Sequence, residues 1–428
     1  MKLKCKFYKV LLLFIFFNKI FFSLINASVN TKTDFQLSAF QELLTVSSIP
    51  YNQLKFTYNI SPDYARTSAT GSGSVTGTGG FAVLDSGTTS NGSANLRSIN
   101  RLIYNPGQGS VATFSSIFSR AGVAGNYQII GIGNAEDGFF FGYTGTQFGI
   151  LWRSNSSGTP VDTWIPQTSW NTDTMNGTGP SGMILDPTKG NIYKIQYQWL
   201  GFGAVNFYIE NPTGTMQLVH QLKYANNNTQ TTVRNPSLQL RADTVNFQNT
   251  TTGGQVKTSA MVGSSEGQIK ETLAVRNDQE IQGFVINSTT PSLDHILTIY
   301  NKQIYQGRTN QVMVFPDLVT SLTTQNQGRN AVFYIYKNPT FSTTGTFTDV
   351  DTNNSVVSYS TGTNTVVSSN GQLVGVIYTK PSDSQYVELL SQSIALAPDE
   401  YLSVLGTRTV GGGGSLLAYL SLSWQEFF

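Results

Sequence analysis

The sequence has few of the residues that bind metals or form covalent cross-links. Its 428 residues include one cysteine, Cys5, and two histidines, His220 and His295. Zinc fingers, haem sites, iron–sulfur sites and disulfide scaffolds all need more Cys or His than this. We therefore expect no metal site and no cofactor.

Charge is also scarce, since Asp, Glu, Lys and Arg make up 12% of the chain, about half of the ~25% of ordinary soluble domains. With 26 basic and 24 acidic residues there is no strong excess of either sign, and we expect no nucleic acid partner. Small polar residues replace the charges, while 12% aromatic residues supply material for a hydrophobic core.

Residues 1–27 have the composition of a secretory signal. A lysine-rich start precedes the apolar run Val10–Phe17, and small residues follow at Ala27. A basic start, an apolar centre and a small-residue exit are typical of a signal peptide. An uncleaved signal anchor is the alternative, although Lys19 interrupts the apolar stretch. We expect membrane contact only through this segment, and only if it is uncleaved.

Cleavage near Ala27 would remove Cys5 and five lysines but no acidic residue, and would leave a mildly acidic chain without cysteine. In a eukaryotic secretory route, exposed N-x-[ST] sequons are glycosylation candidates, although each Asn could equally be a polar turn residue. The candidates are Asn59, Asn91, Asn155, Asn176, Asn227, Asn249, Asn287 and Asn353.

Alternating apolar and polar residues predict β-strands in many places. The clearest cases are Leu54–Ile60, Tyr193–Trp199, Val205–Ile209 and Leu416–Trp424. One segment, Asp34–Ser47, has helical spacing behind an Asp cap, and an extended arm is its alternative. The sequence therefore predicts an all-β protein with two sandwich domains, of the jelly-roll or lectin-like kind, after the signal segment.

Turn-rich stretches divide the chain. Ser68–Ser90 is rich in Gly, Ser and Thr, which predicts a mobile loop or an irregular edge strand. A second break around Val262–Gly267 predicts a first domain over 28–265 and a second over 266–428. Further strands are predicted in the second domain at Thr272–Val275, Ile281–Ile286, His295–Tyr300, Ala331–Tyr336, Leu373–Tyr378 and Ile394–Leu396.

Catalytic signatures such as a G-x-S-x-G elbow, H-E-x-x-H or a P-loop are absent, and we expect no enzyme. The pair Asp294-His295 is interpreted as a surface or strand-edge histidine with a neighbouring acid. His220, within the predicted strand Met216–Tyr224, is interpreted as half-buried and hydrogen-bonded. Asp349–Asn354 begins like a calcium loop but has Asn at its sixth position, which favours a polar hairpin turn.

Two tryptophans are the best candidates for exposed aromatic contacts. Trp164 and Trp170 flank a turn-rich stretch, with Asp162, Asn171 and Asp173 close by in the sequence. Indole faces with amide and carboxylate neighbours suit either a glycan or a subunit interface. A β-sandwich glycosidase is a weaker alternative, which would use carboxylates among Asp162, Asp173, Asp186 and Glu210.

A series of motifs follows one another along the first half of the chain: Arg101–Gly107, Gly138–Gly142, Leu151–Ser154, Trp170-Asn171, Asn176–Gly182, Leu185–Lys189, Gln198–Gly203, Val219-His220 and Ala225-Asn226. This series resembles segments of uncharacterised virion or tail-associated structural proteins of tailed phages and giant viruses. The resemblance covers about a third of the chain well, and the part after residue 271 only loosely.

The resemblance implies a β-rich structural protein without catalytic residues, packaged in a virion. Its partners would be further copies of itself or other virion proteins. The signal segment departs from the phage pattern and favours a giant virus, with the virion or the host secretory pathway as the location. A secreted carbohydrate-binding adhesin of the lectin kind is the alternative, because the composition suits both classes equally.

Overall fold

The computed structural model describes residues 48–267, 274–324, 330–343, 345–362, 366–368, 371–392, 394–409 and 416–428. The signal segment and the predicted helix Asp34–Ser47 lie outside these residues. Strands make up 56% of the structure, and the described residues contain no α-helix. The predicted all-β class is confirmed. No helix in the described part of the chain has the length and apolar character needed to cross a membrane.

The first sandwich, defined as Ser48–Glu266, consists of sixteen strands and one short 3₁₀-helix, Gln167–Ser169. The strands are β1 (Ser48–Lys55), β2 (Ala65–Thr70), β3 (Ser74–Thr78), β4 (Phe81–Asp85), β5 (Ser93–Ser98), β6 (Ser110–Phe118), β7 (Asn126–Gly133), β8 (Gly138–Thr144), β9 (Gln147–Ser154), β10 (Val161–Pro166), β11 (Asn191–Tyr197), β12 (Val205–Glu210), β13 (Met216–Leu222), β14 (Leu240–Asn246), β15 (Gln255–Thr258) and β16 (Ala260–Glu266).

Two antiparallel sheets form the first sandwich. One has the order β13–β12–β11–β6–β15–β4–β3, with β16 also paired to β6 and β1 paired to β16. The other has the order β10–β9–β8–β7–β14–β5–β2. Side chains from the two sheets meet in one core, where the Phe141 ring on β8 lies 4.8 Å from the Tyr193 ring on β11.

The second sandwich, defined as Val275–Phe427, contains the remaining strands and a short 3₁₀-helix, Leu390–Gln392. The strands are β17 (Val275–Ile286), β18 (Asp294–Asn301), β19 (Ile304–Tyr305), β20 (Arg308–Thr309), β21 (Met313–Thr323), β22 (Ala331–Lys337), β23 (Thr340–Thr343), β24 (Thr348–Asp349), β25 (Val357–Thr361), β26 (Val366–Ser368), β27 (Gln372–Thr379), β28 (Ser384–Glu388), β29 (Glu400–Arg408) and β30 (Leu416–Phe427).

The main sheets of the second sandwich are β17–β30–β21–β28 and β24–β25–β18–β29–β22–β27. Their facing side chains form a second core, which shares no residue with the first. The predicted domain boundary, between 265 and 266, falls at the end of β16. A third, smaller cluster joins the two sandwiches, with Ile99 and Ile103 packed against Met313, Ala395 and Ala397.

The alternation of apolar and polar residues correctly predicted the strands that lie inside the sheets. In β11, Tyr193, Ile195 and Tyr197 are all buried, and β12 repeats this. In β30 the side chains from Leu416 to Trp424 are buried at every second position. The physical reason is that β11, β12 and β30 each lie between two other strands of their sheet, so one face of each strand meets the core.

Three strand-level predictions were wrong in part. The strand predicted over Leu54–Ile60 ends at Lys55, because the chain bends at Thr57 and Tyr58; it then turns at Ser61, whose carbonyl accepts the Tyr64 and Ala65 N–H groups. The region Ser68–Ser90 is not a loop, since it holds the hairpin β3–β4 and the end of β2. β2 and β3 are edge strands of their sheets, so the alternative prediction of an edge strand for this region is confirmed. Ile394–Leu396 forms only a single bridge, to Val314.

Candidate binding groove

Trp164 and Trp170 do not form an exposed pair. Trp170 is only 4% exposed and packs edge-on against Phe141 and Phe148 in the first core. Trp164, on β10, is half-buried against a small cluster on the other face of its sheet. The prediction of two exposed indoles is therefore wrong, because the chain after β10 folds over the core and carries Trp170 into it.

The three predicted polar partners make structural contacts. Asp162 accepts two hydrogen bonds from the Arg153 guanidinium, at 2.7 and 2.8 Å. The Asn171 side chain exchanges hydrogen bonds with the backbone of Gln221 and ties its loop to β13. Asp173 is buried and accepts the backbone N–H groups of Met175 and Ser181, both at 2.8 Å. Each of these three side chains therefore has a partner within the fold.

The position of Asp173 gives a structural reason for one motif of the viral resemblance, Asn176–Gly182. The loop Asn176–Gly182 wraps around its carboxylate, and a Cβ atom on Gly179 would lie 2.0 Å from Asp173 Oδ1. Only glycine fits there without displacing the carboxylate. This part of the motif therefore specifies the conformation of a loop.

Both histidines are buried in strands. His220 is 6% exposed, and its Nδ1 accepts the Asn171 N–H at 3.3 Å, which confirms its hydrogen-bonded interpretation. Burial lowers the pKa of His220 to about 4. His295 is 8% exposed, so its interpretation as a surface residue is wrong. Its ring contacts the Gly362 carbonyl and the Thr298 hydroxyl, while Asp294 accepts hydrogen bonds from Asn287 and Ser288 instead.

The calcium-like segment is a turn. Asp351 accepts the backbone N–H groups of Asn353 and Asn354, and β24 and β25 pair on either side as a short hairpin. Among the described residues, no group of three or more His, Cys, Asp or Glu side chains is placed to hold a metal ion.

Seven of the eight sequon asparagines are exposed, and Asn155 is buried. The Asn155 side-chain amide donates to Glu136 at 2.8 Å, and its backbone N–H donates to Asp137. A glycan on Asn155 would have to break these contacts, so we predict that the folded protein carries none there. Glycosylation at the exposed sequons stays a prediction.

A groove that the sequence did not reveal lies in the first sandwich, along β1 and the segment that connects β1 to β2. Its volume is about 670 Å³. Tyr58 is 94% exposed and Tyr64 62% exposed on its walls, while the half-buried Tyr51 donates its hydroxyl to the Ile103 carbonyl. We call it the tyrosine groove, and it is lined by Pro50, Tyr51, Asn52, Gln53, Lys55, Thr57, Tyr58, Asn59, Ser61, Tyr64 and Asn100.

Polar groups of the tyrosine groove are mostly neutral amides and hydroxyls. Among the described residues, Lys55 is its one charged lining residue. Asn52 is held in place, since its amide donates to Ser98 Oγ and the Asn100 carbonyl. The side-chain amides of Gln53 and Asn100 have no partner within the described residues, so both are available to a ligand. The sequence signal closest to this site is the turn-forming pair Ser61-Pro62, which follows the alternating segment that contains Tyr58.

Comparison with known proteins finds distant structural similarities only. No family model matches the chain, and no curated protein matches it. Peanut lectin is similar over 51% of this chain and 97% of its own, with 10% identity and a TM-score of 0.31. A pseudo β-1,3-glucanase of Mycobacterium tuberculosis is similar over 50% of this chain and 98% of its own, with 11% identity and a TM-score of 0.34.

An engineered glycoside hydrolase with endo-xylanase and exo-arabinofuranosidase activity is similar over 51% of this chain, with 13% identity and a TM-score of 0.32. This chain spans 41% of that protein's length. At these values the similarities identify no function, which must be argued from the chain's own residues.

Proposed function

We propose that the protein is a non-catalytic carbohydrate-binding protein of the lectin-like β-sandwich class, and that the tyrosine groove is its glycan site. The observation that carries this is the exposure of Tyr58 and Tyr64 on the walls of one groove. Large aromatic side chains that stay in water beside a concavity are typical of binding sites.

The chemistry of the groove matches a sugar. A pyranose has an apolar face, which packs on an aromatic ring, and a rim of hydroxyls, which pair with amides. Tyr58 and Tyr64 supply the rings, and Gln53 and Asn100 supply unpaired amides. The volume of about 670 Å³ falls in the range of ordinary ligand sites, roughly 300–1,000 Å³.

The single charge in the groove favours a neutral ligand. Lys55 lies at an exposed position, and no carboxylate lines the walls among the residues that the structure describes. A basic ligand would therefore find no ion-pair partner there, and a ligand with several negative charges would find only this one lysine. We therefore expect neutral glycans to bind better than charged ones. Single-site contacts of this kind are weak, and repeated copies on one surface would raise the avidity.

The virion role inferred from the motif series stays a prediction, as do the homo-oligomer and the packaged or secreted location. Attachment to a glycan is compatible with either location. Mass spectrometry of purified particles tests the virion role, since the protein should be present there in many copies. Its presence only in the medium of infected cells would favour the secreted adhesin.

A glycan array tests the proposed function. Protein should be produced in bacteria without residues 1–27, because the sequon Asn59 lies in the groove and a glycan attached there would block it. We expect the unaltered protein to bind a restricted set of neutral glycans. Tyr58→Ala and Tyr64→Ala should each weaken this binding at least tenfold, as loss of one ring stack predicts.

Tyr386→Ala is the matched control. Tyr386 is 65% exposed, like Tyr64, but lies on β28 of the second sandwich. It should leave the array signal unchanged. Equal losses from all three variants, or no binding by the unaltered protein, would contradict the proposal.

A further inference from the structure

Three arginines form a row across neighbouring strands of the first sandwich. Arg66 on β2 is directly opposite Arg97 on β5, and Arg97 is directly opposite Arg241 on β14. Directly paired residues project from the same face with Cβ atoms about 4.5–5.5 Å apart, and like charges in such pairs repel each other. A row of this kind needs negative charge nearby to be stable.

The row borders a small cleft at the junction of the two sandwiches. We call it the arginine cleft, and define it by Arg66, Arg97, Arg101, Gln239, Asn310 and Asp399 among its lining residues. Its volume is about 100 Å³. A water molecule occupies about 30 Å³ in the liquid, so the cleft has room for a small ion but not for an oligosaccharide.

The acidic neighbours at the ends of the row already have partners. Glu400 lies 2.8 Å from Arg66 and 3.1 Å from Lys337, and one carboxylate serves both cations. Asp243 pairs with Arg241 at 2.7 Å. Asp399, which lines the cleft, accepts the Tyr300 hydroxyl at 3.2 Å.

Arg97 and Arg101 have no ion pair among the described residues. Arg101 is 8% exposed, and its Nε donates to the Gln311 side chain at 2.6 Å, while Nη1 contacts only the Met313 sulfur. Arg97 has no hydrogen-bond partner there. The Arg97 side chain is exposed, whereas Arg101 is buried, and a buried guanidinium without a carboxylate is costly because it gives up hydration without compensation.

The electrostatics agree with this geometry. Burial lowers the pKa of Arg101 to about 9, and the neighbouring Arg97 lowers it further than burial would alone. Desolvation lowers the pKa of Arg97 as well, with added repulsion from Arg241 and Arg66, while Asp243 and Asp399 raise it by a smaller amount. The desolvation and the repulsion act against the charged form, and each would be offset by an anion in the cleft.

We propose that the arginine cleft binds one small tetrahedral oxyanion, of the phosphate or sulfate class, between the guanidinium groups of Arg66, Arg97 and Arg101. Guanidinium N–H groups form paired hydrogen bonds with such oxygens. Gln239 and Asn310 line the same space, although their amides already donate to the Ser98 carbonyl and to Asn301 and the Lys302 carbonyl, respectively, so the guanidinium groups would supply the anion's contacts. An anion bound there would touch residues of both sandwiches and stabilise their junction.

Calorimetric titration tests the proposal directly. The protein used for the glycan array is dialysed into chloride buffer of constant ionic strength and titrated with inorganic phosphate, inorganic sulfate and acetate. We expect saturable binding of one phosphate or sulfate per chain, and weaker binding of acetate. Arg97→Gln should weaken the affinity at least tenfold, because it removes the central charge of the row.

Arg276→Gln is the matched control, since Arg276 is exposed on β17 and has no ion pair among the described residues. It should change the affinity less than twofold. The absence of saturable binding, equal losses from both variants, or acetate binding as tightly as sulfate would each overturn the proposal.

Thermal unfolding without oxyanions distinguishes a binding defect from a folding defect. Arg97→Gln should melt no lower than the unaltered protein there, because it relieves repulsion from Arg66 and Arg241. Added sulfate should raise the melting temperature of the unaltered protein and raise that of the variant much less. A variant that melts well below the unaltered protein without any oxyanion would overturn the proposal. A sulfated monosaccharide in parallel shows whether the anion is free or part of a larger ligand.

Discussion

The two sandwiches fill their cores with different side chains. Phe141 in the first core has ring contacts with Tyr193, Phe207 and Trp170, and further rings from both sheets surround them. In the second core, the buried aromatic residues are Phe333 and Trp424, and Val, Ile, Leu and Ala fill the rest. The first sandwich therefore depends on specific ring geometry, and the second on closely packed aliphatic side chains.

The second sandwich instead has aromatic side chains near its surface. Tyr300 and Tyr401 are partly exposed and stack at 4.5 Å, and Phe341 packs edge-on against Tyr401. Aromatic content alone therefore does not locate a core or a binding site. What separates the tyrosine groove from these stacks is that Tyr58 and Tyr64 make no ring contact with another aromatic side chain within the described residues.

The largest expected effect on stability is in the aromatic core. Phe141→Ala should lower the free energy of unfolding by about 4 kcal/mol, as for other buried Phe→Ala changes, because it leaves a cavity among three rings. Urea denaturation followed by tyrosine and tryptophan fluorescence measures this. Phe247→Ala is the control, since Phe247 is 60% exposed and its one aromatic ring contact within the described residues is with Tyr127; it should cost about 1 kcal/mol or less. Similar costs for the two variants would contradict the comparison.

In the aliphatic core of the second sandwich, truncation of a buried side chain should lower the free energy of unfolding somewhat less. Leu422→Ala on β30 should cost about 3 kcal/mol, within the range for buried Leu→Ala changes, since Leu422 is fully buried. Leu373→Ala, at a half-exposed position on β27, should cost less than about 1 kcal/mol. A loss from Leu422→Ala larger than that from Phe141→Ala would reverse the comparison.

Each sandwich has one buried histidine, so both should lose stability in acid. The pKa of His220 in the folded chain is about 4, whereas an unfolded His has a pKa of about 6.5. The contribution of neutral His220 is complete above pH 6.5 and falls as the pH drops towards 4. Between pH 6.5 and 5 the loss should be about 2 kcal/mol.

His220→Asn should remove this part of the pH dependence, since its amide oxygen can still accept the Asn171 N–H but does not titrate. Burial also lowers the pKa of His295, so the same sign holds in the second sandwich. Denaturation at pH 5 and pH 7 measures both. An unchanged difference between the two pH values in His220→Asn would contradict the assignment.

Sequence reasoning worked where a strand lies between two others and fails near the edges. The residues of β11 and β30 alternate because each strand faces one core, and this pattern can be read directly. Tyr58 continues the same pattern beyond the strand, yet the chain bends at Thr57 and Tyr58 and leaves the Tyr58 side chain in water. Trp170 looks like a loop residue, and only the packing of its loop on Phe141 shows that it belongs to the core.

Sites built from distant segments could not be predicted either. Arg66, Arg97 and Arg241 lie in three strands that are far apart in the sequence, and only the sheet order β14–β5–β2 puts them in one row. The tyrosine groove likewise combines β1 with the turn before β2 and with Asn100. Period and spacing describe single strands, whereas these sites depend on register between strands.

The smallest expected effect on stability belongs to the tyrosine groove, and the central claim depends on it. Tyr58→Ala combined with Tyr64→Ala should change the free energy of unfolding by no more than about 0.5 kcal/mol, as is usual for exposed positions. Surface plasmon resonance on the best glycan from the array should nevertheless show at least a hundredfold loss of affinity. The control pair Tyr378→Ala and Tyr386→Ala, exposed on the second sandwich, should bind like the unaltered protein. Unchanged binding by the groove variant would contradict the proposed function.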